Sequence, residues 1–170
     1  MRDLIYLAYG SNLHPVRMTE RVPSAELIGV VKLVGYHLMF HKRGMDHSGK
    51  CNLQEGVPHA YGALFKMSAA HKPALDSFEG KGCGYDEICL EVSFQGTRRE
   101  CFSYIANPAY RDDRLRPFHW YKRLVILGAE HHCLPGDYVD EMEAVESVAD
   151  SDGERRGKHE QLIEKMLNYP

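Results

Sequence analysis

Two short stretches of this 170-residue sequence gather groups able to hold an anion and to move a proton. The first is Tyr9-Gly10-Ser11-Asn12-Leu13. It ends the apolar run Leu4 to Tyr9, which reads as a buried strand. Gly10 permits a sharp exit from that strand. Successive backbone N–H groups can then converge on an anion, with Ser11 and Asn12 adding side-chain donors. The same residue types also make an ordinary strand-exit turn with a helix cap. The second stretch is Leu75-Asp76-Ser77-Phe78-Glu79-Gly80. Glu79 falls at the C-terminus of a predicted helix, where the helix dipole presents negative charge and disfavours a carboxylate. A carboxylate so placed suits general acid/base work near neutrality; a solvated surface glutamate would look the same. Asp76, three residues earlier on a nearby face, is the competing carboxylate.

Other chemistries lack their residues. There is no GxSxG elbow, no P-loop and no GxGxxG after a strand. The five cysteines, Cys51, Cys83, Cys89, Cys101 and Cys133, are odd in number and contain no CxxC pair, so they read as reduced thiols, with Cys89 and Cys101 at core positions of strands. Glu130-His131-His132-Cys133 resembles a metal site in composition only. Read as a strand, it points its two histidines to opposite faces, and no HExxH accompanies it, so no metal is expected. Twenty-one basic and 24 acidic side chains leave a net charge of −3, without the basic excess of a bulk nucleic-acid binder. No apolar stretch approaches the roughly 20 residues of a membrane span, and the N-terminus lacks a signal-peptide pattern. A cytoplasmic protein is expected.

The elements that must position these groups follow from pattern. A strand over Leu4 to Tyr9 leads to a short helix, His14 to Arg21, with Asn12 as its cap. Glu26 to Phe40 reads as one long bent strand or two short ones, with bends or bulges at Gly29 and Gly35. His41 to Pro58 is polar and reads as a loop with a short strand near Cys51 to Gln54. His59 to Met67 is a strand. A helix then runs to Glu79, starting near His71 because of Pro73, with Ala70, Ala74, Leu75 and Phe78 as its apolar face. Tyr85 to Phe94 and Glu100 to Ala106 form a hairpin about Gln95-Gly96. Helices follow over Phe118 to Leu127, closed by Gly128, and from Pro135. Asp150 to Lys158 reads as a charged linker to a last helix bearing Leu162, Ile163, Met166 and Leu167. Strands dominate the first two thirds and helices the last, an α+β arrangement in one domain, 1–170, with a helical arm from about 151.

One ordered set of residues carries a family resemblance. Tyr9 to Leu13 is followed by Arg17-Met18, Arg21 and Pro23-Ser24-Ala25, then by Tyr61-Gly62, Leu75-Asp76, Glu79-Gly80 and Gly84-Tyr85. Ser103-Tyr104-Ile105, Tyr121-Lys122 and Gly128-Ala129 complete it. In this order the set resembles the gamma-glutamylcyclotransferase family. The resemblance implies a small mixed β-barrel-like sheet with flanking helices. It also implies release of 5-oxoproline from gamma-glutamyl compounds without metal or organic cofactor. By position, Glu79 matches the family's acid/base. Tyr9, Gly10, Ser11, Asn12 and Leu13 match its glutamyl-holding loop, and Tyr85, Tyr104 and Tyr121 match tyrosines lining that cavity. The partner implied is a small gamma-glutamyl substrate, with no nucleic acid and no membrane. A homodimer is the commonest oligomer by base rate. The leaving group is left open between an amino acid, an amine and a biosynthetic gamma-glutamyl intermediate, and a non-catalytic binding domain of the same fold is the third reading.

Overall fold

The computed structural model describes residues 3–170. Its centre is β1 (Asp3–Ala8), whose Leu7 and Ala8 are completely buried. β1 pairs antiparallel with β3 (Gly49–Ser68) on one side and parallel with β5 (Thr97–Ala106), through Tyr6 and Phe102, on the other. β2 (Glu26–Arg43) extends the sheet beyond β3, and β4 (Tyr85–Phe94) extends it beyond β5, giving the order β2-β3-β1-β5-β4. The sheet curls until the Phe94 ring on β4 packs against Gly29 on β2, yet these edges do not pair. The expected α+β class holds. The barrel-like sheet is an open one.

The long β2–β3 hairpin corrects the reading of residues 41–58 as a loop. Only five residues, 44–48, separate the two strands. β3 is hard to see because its buried positions are partly polar. Cys51 and Leu53 are buried beside Asn52, which is completely inaccessible. Asn52 has both ends of its amide satisfied. Its Oδ1 accepts the Ala106 N–H at 2.7 Å, and its Nδ2 lies 2.9 Å from His41 Nε2. A strand tied together by such pairs has no clean apolar alternation. Register shifts fall between Leu27 and Gly29 and between Val34 and Tyr36, the two bends expected from glycines.

Helices cover one end of the sheet. α1 (Pro15–Arg21) is capped by His14, whose Nδ1 accepts the Val16 N–H at 3.2 Å, so the expected Asn12 cap is wrong. A 3-10 turn, Ala69–His71, leads into α2 (Lys72–Glu79), which ends at Gly80 in the left-handed conformation. Of the apolar face expected on α2, only Leu75 is buried; Phe78 is 56% exposed. α3 (His119–His131) runs straight through Gly128, where a Cβ would lie 2.5 Å from Leu13 Cβ, so this glycine serves close approach and not termination. His131 and His132 therefore sit at a helix end and not in a strand. Cys101 is buried as expected, whereas Cys89 is exposed.

The C-terminal segment is docked. After α4 (Gly136–Ala144), Asp150 buries its carboxylate completely, accepting from Trp120 Nε1 at 2.8 Å and from Arg155 Nη2 at 2.5 Å. It thereby fastens α5 (Gly153–Leu167) to α3, and Leu162 and Met166 are buried there. The 150–158 segment is thus no linker. The Arg155 guanidinium, with Trp120 and the Asp152 N–H, holds the Asp150 carboxyl well below the ordinary carboxylate range. That stabilisation is fully present above the unfolded value of about 3.9 and is lost only as pH falls through the lower folded value. Asp150→Ala is expected to cost about 3 kcal/mol, the usual result of stranding one partner of a buried pair. Urea unfolding at neutral pH measures it.

Candidate functional site

The loop leaving β1, the start of β3, the end of α2, the two strands of the β4–β5 hairpin and the first turn of α3 line a common cavity. Tyr9, Gly10, Ser11 and Asn12 line it from the loop, Glu79 from α2, and Tyr85, Tyr104 and Tyr121 from the remaining elements. Eight of the nine residues expected from sequence are therefore brought together. Leu13 is the exception and is corrected here. Its side chain is completely buried against Gly128, away from the cavity, and its N–H donates to the Gly10 carbonyl at 3.0 Å. The N–H groups of Ser11 and Asn12 meet no acceptor among the described residues. Tyr6 and Cys51 also line the cavity.

Gly10 has a role different from the one its sequence context suggests. Its φ lies outside the left-handed region. A Cβ there would instead lie 2.8 Å from Cys51 Cβ. The loop passes so close to β3 that only a glycine fits. Gly10→Ala is expected to cost about 1–3 kcal/mol through overpacking. Part should return in the double variant with Cys51→Gly, which removes the opposing Cβ. Thermal melts of the three proteins decide this.

The tyrosines are fixed by their own hydrogen bonds. Tyr9 Oη donates to the Tyr104 carbonyl and Tyr85 Oη to the Cys51 carbonyl, both at 2.5 Å. Tyr121 Oη accepts the Cys51 N–H at 3.0 Å. Tyr104 Oη donates to Asp76 Oδ1 at 2.5 Å. Burial drives all four phenols, and that of Tyr6, far above their ordinary value, and it pushes the Cys51 thiol up to about 12. These groups stay protonated at neutral pH. They shape the cavity and present fixed dipoles, but do not exchange protons there.

Glu79 is the carboxyl group that lines the cavity. Asn12 Nδ2 donates to its Oε1 at 2.7 Å, and Arg21 Nη1 approaches the same oxygen at 3.3 Å. Arg21 also donates to Asn12 Oδ1 at 2.9 Å, and Asn12 Nδ2 lies 3.2 Å from Tyr6 Oη. One oxygen of Glu79 is thus held by a closed network. Oε2 meets no donor among the described residues. Sequence reasoning noted Arg21 without giving it a role. The signal available was its place at the end of the helix that follows the Tyr9–Leu13 loop; in the structure its guanidinium lies over the Phe78 ring at 5.2 Å.

Asp76 is a different kind of group. Burial alone would raise its carboxyl. Lys72, 2.7 Å away, together with Tyr104 and Lys81, instead holds it below the ordinary value. A carboxylate so paired is a poor base near neutrality. Asp76 orients Tyr104, and Glu79 faces the cavity.

Known proteins resemble this chain in sequence and in fold. A model described as the AIG2-like family matches residues 59–142. Gamma-glutamylcyclotransferase of Homo sapiens is 30% identical, with 85% of this chain and 79% of that protein aligned. The protein of the same name from Bos taurus is also 30% identical, with 97% and 88% aligned. A solved gamma-glutamyl cyclotransferase superposes with a TM-score of 0.84 at 28% identity, covering 96% of this chain and 99% of that one. With relatives 30% identical over 79% and 88% of their own lengths, and a fold that superposes on a solved gamma-glutamyl cyclotransferase, the chain belongs to the gamma-glutamylcyclotransferase family.

Proposed function

We propose that the protein is a cofactor-free gamma-glutamylcyclotransferase of the cytoplasm that releases 5-oxoproline from a small gamma-glutamyl compound, with Glu79 as general acid/base. The observation that carries this reading is Glu79 itself. It is anchored through Oε1 by Asn12 and Arg21, its Oε2 meets no donor among the described residues, and it is the carboxyl group that lines the cavity.

The chemistry needs no protein nucleophile. The substrate's α-ammonium gives a proton to Glu79 Oε2, and the freed amine attacks the substrate's own γ-carbonyl carbon. A C–N bond forms and the carbonyl electron pair moves to oxygen. The N–H groups of Ser11 and Asn12 are the free donors for a negative oxygen, whether the substrate carboxylate or this oxyanion. The oxyanion then collapses, the bond to the leaving nitrogen breaks, and the proton held by Glu79 goes to that nitrogen. The ring nitrogen, which still carries two hydrogens, gives its surplus proton back to the Glu79 carboxylate, which passes it to the released amine. The ring left behind is 5-oxoproline. Confining the glutamyl chain in its folded conformer among the tyrosines supplies the orientation that intramolecular attack requires.

The direct test incubates the protein with gamma-glutamyl-alanine and follows 5-oxoproline by mass spectrometry. Stoichiometric 5-oxoproline and alanine are expected. Free glutamate in their place, or no turnover of any gamma-glutamyl compound, would contradict the assignment.

A further inference from the structure

Outside the inner cavity, and sharing Ser11, Glu79, Tyr85 and Tyr121 with it, lies a wider vestibule. A leaving group attached to a glutamyl moiety in the inner cavity would extend into this space. Its charges are unbalanced. Arg21 is paired with Glu79 at 3.3 Å, Lys50 with Asp46 at 2.7 Å, and Arg155 with Asp150 at 2.5 Å. Two cations remain.

Arg17, on α1, is only 7% exposed, and its Nε is buried with no hydrogen-bond partner. Neither an ion pair nor an aromatic face compensates its guanidinium among the described residues. Burial, with repulsion from Arg21, lowers it to about 9. Lys42, at the end of β2, is 6% exposed. Its Nζ lies 4.5 Å over the Tyr85 ring, and it has no carboxylate partner among the described residues. Burial lowers it as well. Arg17 and Lys42 both act on Lys50 by like-charge repulsion, so they share one field. Buried cations without a directly paired carboxylate are costly. Glu79 and Glu20 for Arg17, and Glu79 and Asp46 for Lys42, act on these two only at longer range than an ion pair, and an incoming anion would complete them.

Building on the cyclotransferase reading, we propose that the vestibule is a leaving-group subsite for a dianion. On this view Arg17 and Lys42 are specificity-determining cations that select gamma-glutamyl compounds of an acidic amino acid, one bearing a side-chain carboxylate besides its α-carboxylate. The glutamyl half is a zwitterion already held inside, so both anions must come from the leaving half. Gamma-glutamyl-amines, which bring no anion, are the disfavoured class.

The test compares gamma-glutamyl-aspartate with gamma-glutamyl-asparagine, which is nearly isosteric and lacks the second charge. The readout is the ratio of their kcat/KM values in the wild type, Lys42→Met and Arg17→Met, with melting temperatures for each. The wild type should favour the aspartate compound by about tenfold or more, as a charge-assisted contact at a desolvated site would. Each variant should bring the ratio close to one. If Arg17→Met does not fold, Lys42→Met reads the same ratio. Equal kcat/KM for the two compounds in the wild type, or a ratio unmoved by both substitutions, would overturn the subsite. If neither compound yields 5-oxoproline, the cyclotransferase reading fails separately. Calorimetric affinities of the same two compounds then decide the subsite, a preference for aspartate supporting it and equal binding refuting it.

Discussion

Acetylating the α-amine of a gamma-glutamyl substrate is expected to abolish 5-oxoproline release. The amine is the nucleophile in this account, and an amide nitrogen has no free lone pair with which to attack. No side chain in the cavity can replace it. Burial keeps the Cys51 thiol protonated, and no histidine lines the cavity to activate the Ser11 hydroxyl. Well-oriented intramolecular attack supplies about 7–11 kcal/mol of barrier lowering, and all of it is lost with the amine. The acetylated compound should still compete with the parent substrate, because its carboxylate and γ-carbonyl are unchanged. The measurement is product by mass spectrometry alongside competitive inhibition. Turnover of the blocked compound at a rate near the parent's would identify a hydrolase.

Glu79→Gln is expected to fold normally and to lose about 10²- to 10⁴-fold in kcat, the usual worth of a general acid/base. Glutamine can keep an oxygen where Oε1 accepts from Asn12 and Arg21. It cannot take a proton from the substrate ammonium at neutral pH. Substrate binding should change much less than kcat. Asp76→Asn is the matched comparison on the same helix. Asparagine Oδ1 can still accept from Tyr104, and the pairs with Lys72 and Lys81 are partly exposed, so the expected loss is under about tenfold. A reversal, with Asp76→Asn dead and Glu79→Gln active, would assign the proton transfer to Asp76.

The parts of the site legible in the sequence are those fixed by local rules. A short apolar run stopped by Gly-Ser-Asn is a strand end with free donors, and Glu79 before Gly80 is a helix terminus; both lie where their patterns put them. The family resemblance brought in the three tyrosines, which no local pattern ties to the loop. What sequence did not disclose are relations across the fold. Asn12 looked like a cap because its type and position suit one. His14 makes that bond instead, and Asn12 reaches 67 residues along the chain to Glu79. Gly10 looked like a turn former and is a spacer against Cys51. The 41–58 segment looked like a loop because Asn52 and His41 satisfy each other inside a long hairpin, a pairing invisible to hydropathy. Asp150 looked like one charge in a polar linker, although its partners Trp120 and Arg155 make it the fastening of the last helix.

Attack on the γ-carbonyl carbon by the substrate's own amine, with Glu79 moving the proton, and attack by water leave different oxygen labels in the product. Running the reaction with gamma-glutamyl-alanine in ¹⁸O-labelled water separates them. Cyclisation gives 5-oxoproline with no solvent oxygen, formed far more slowly by Glu79→Gln. Glutamate carrying one labelled oxygen as the primary product would show attack by water and contradict the account.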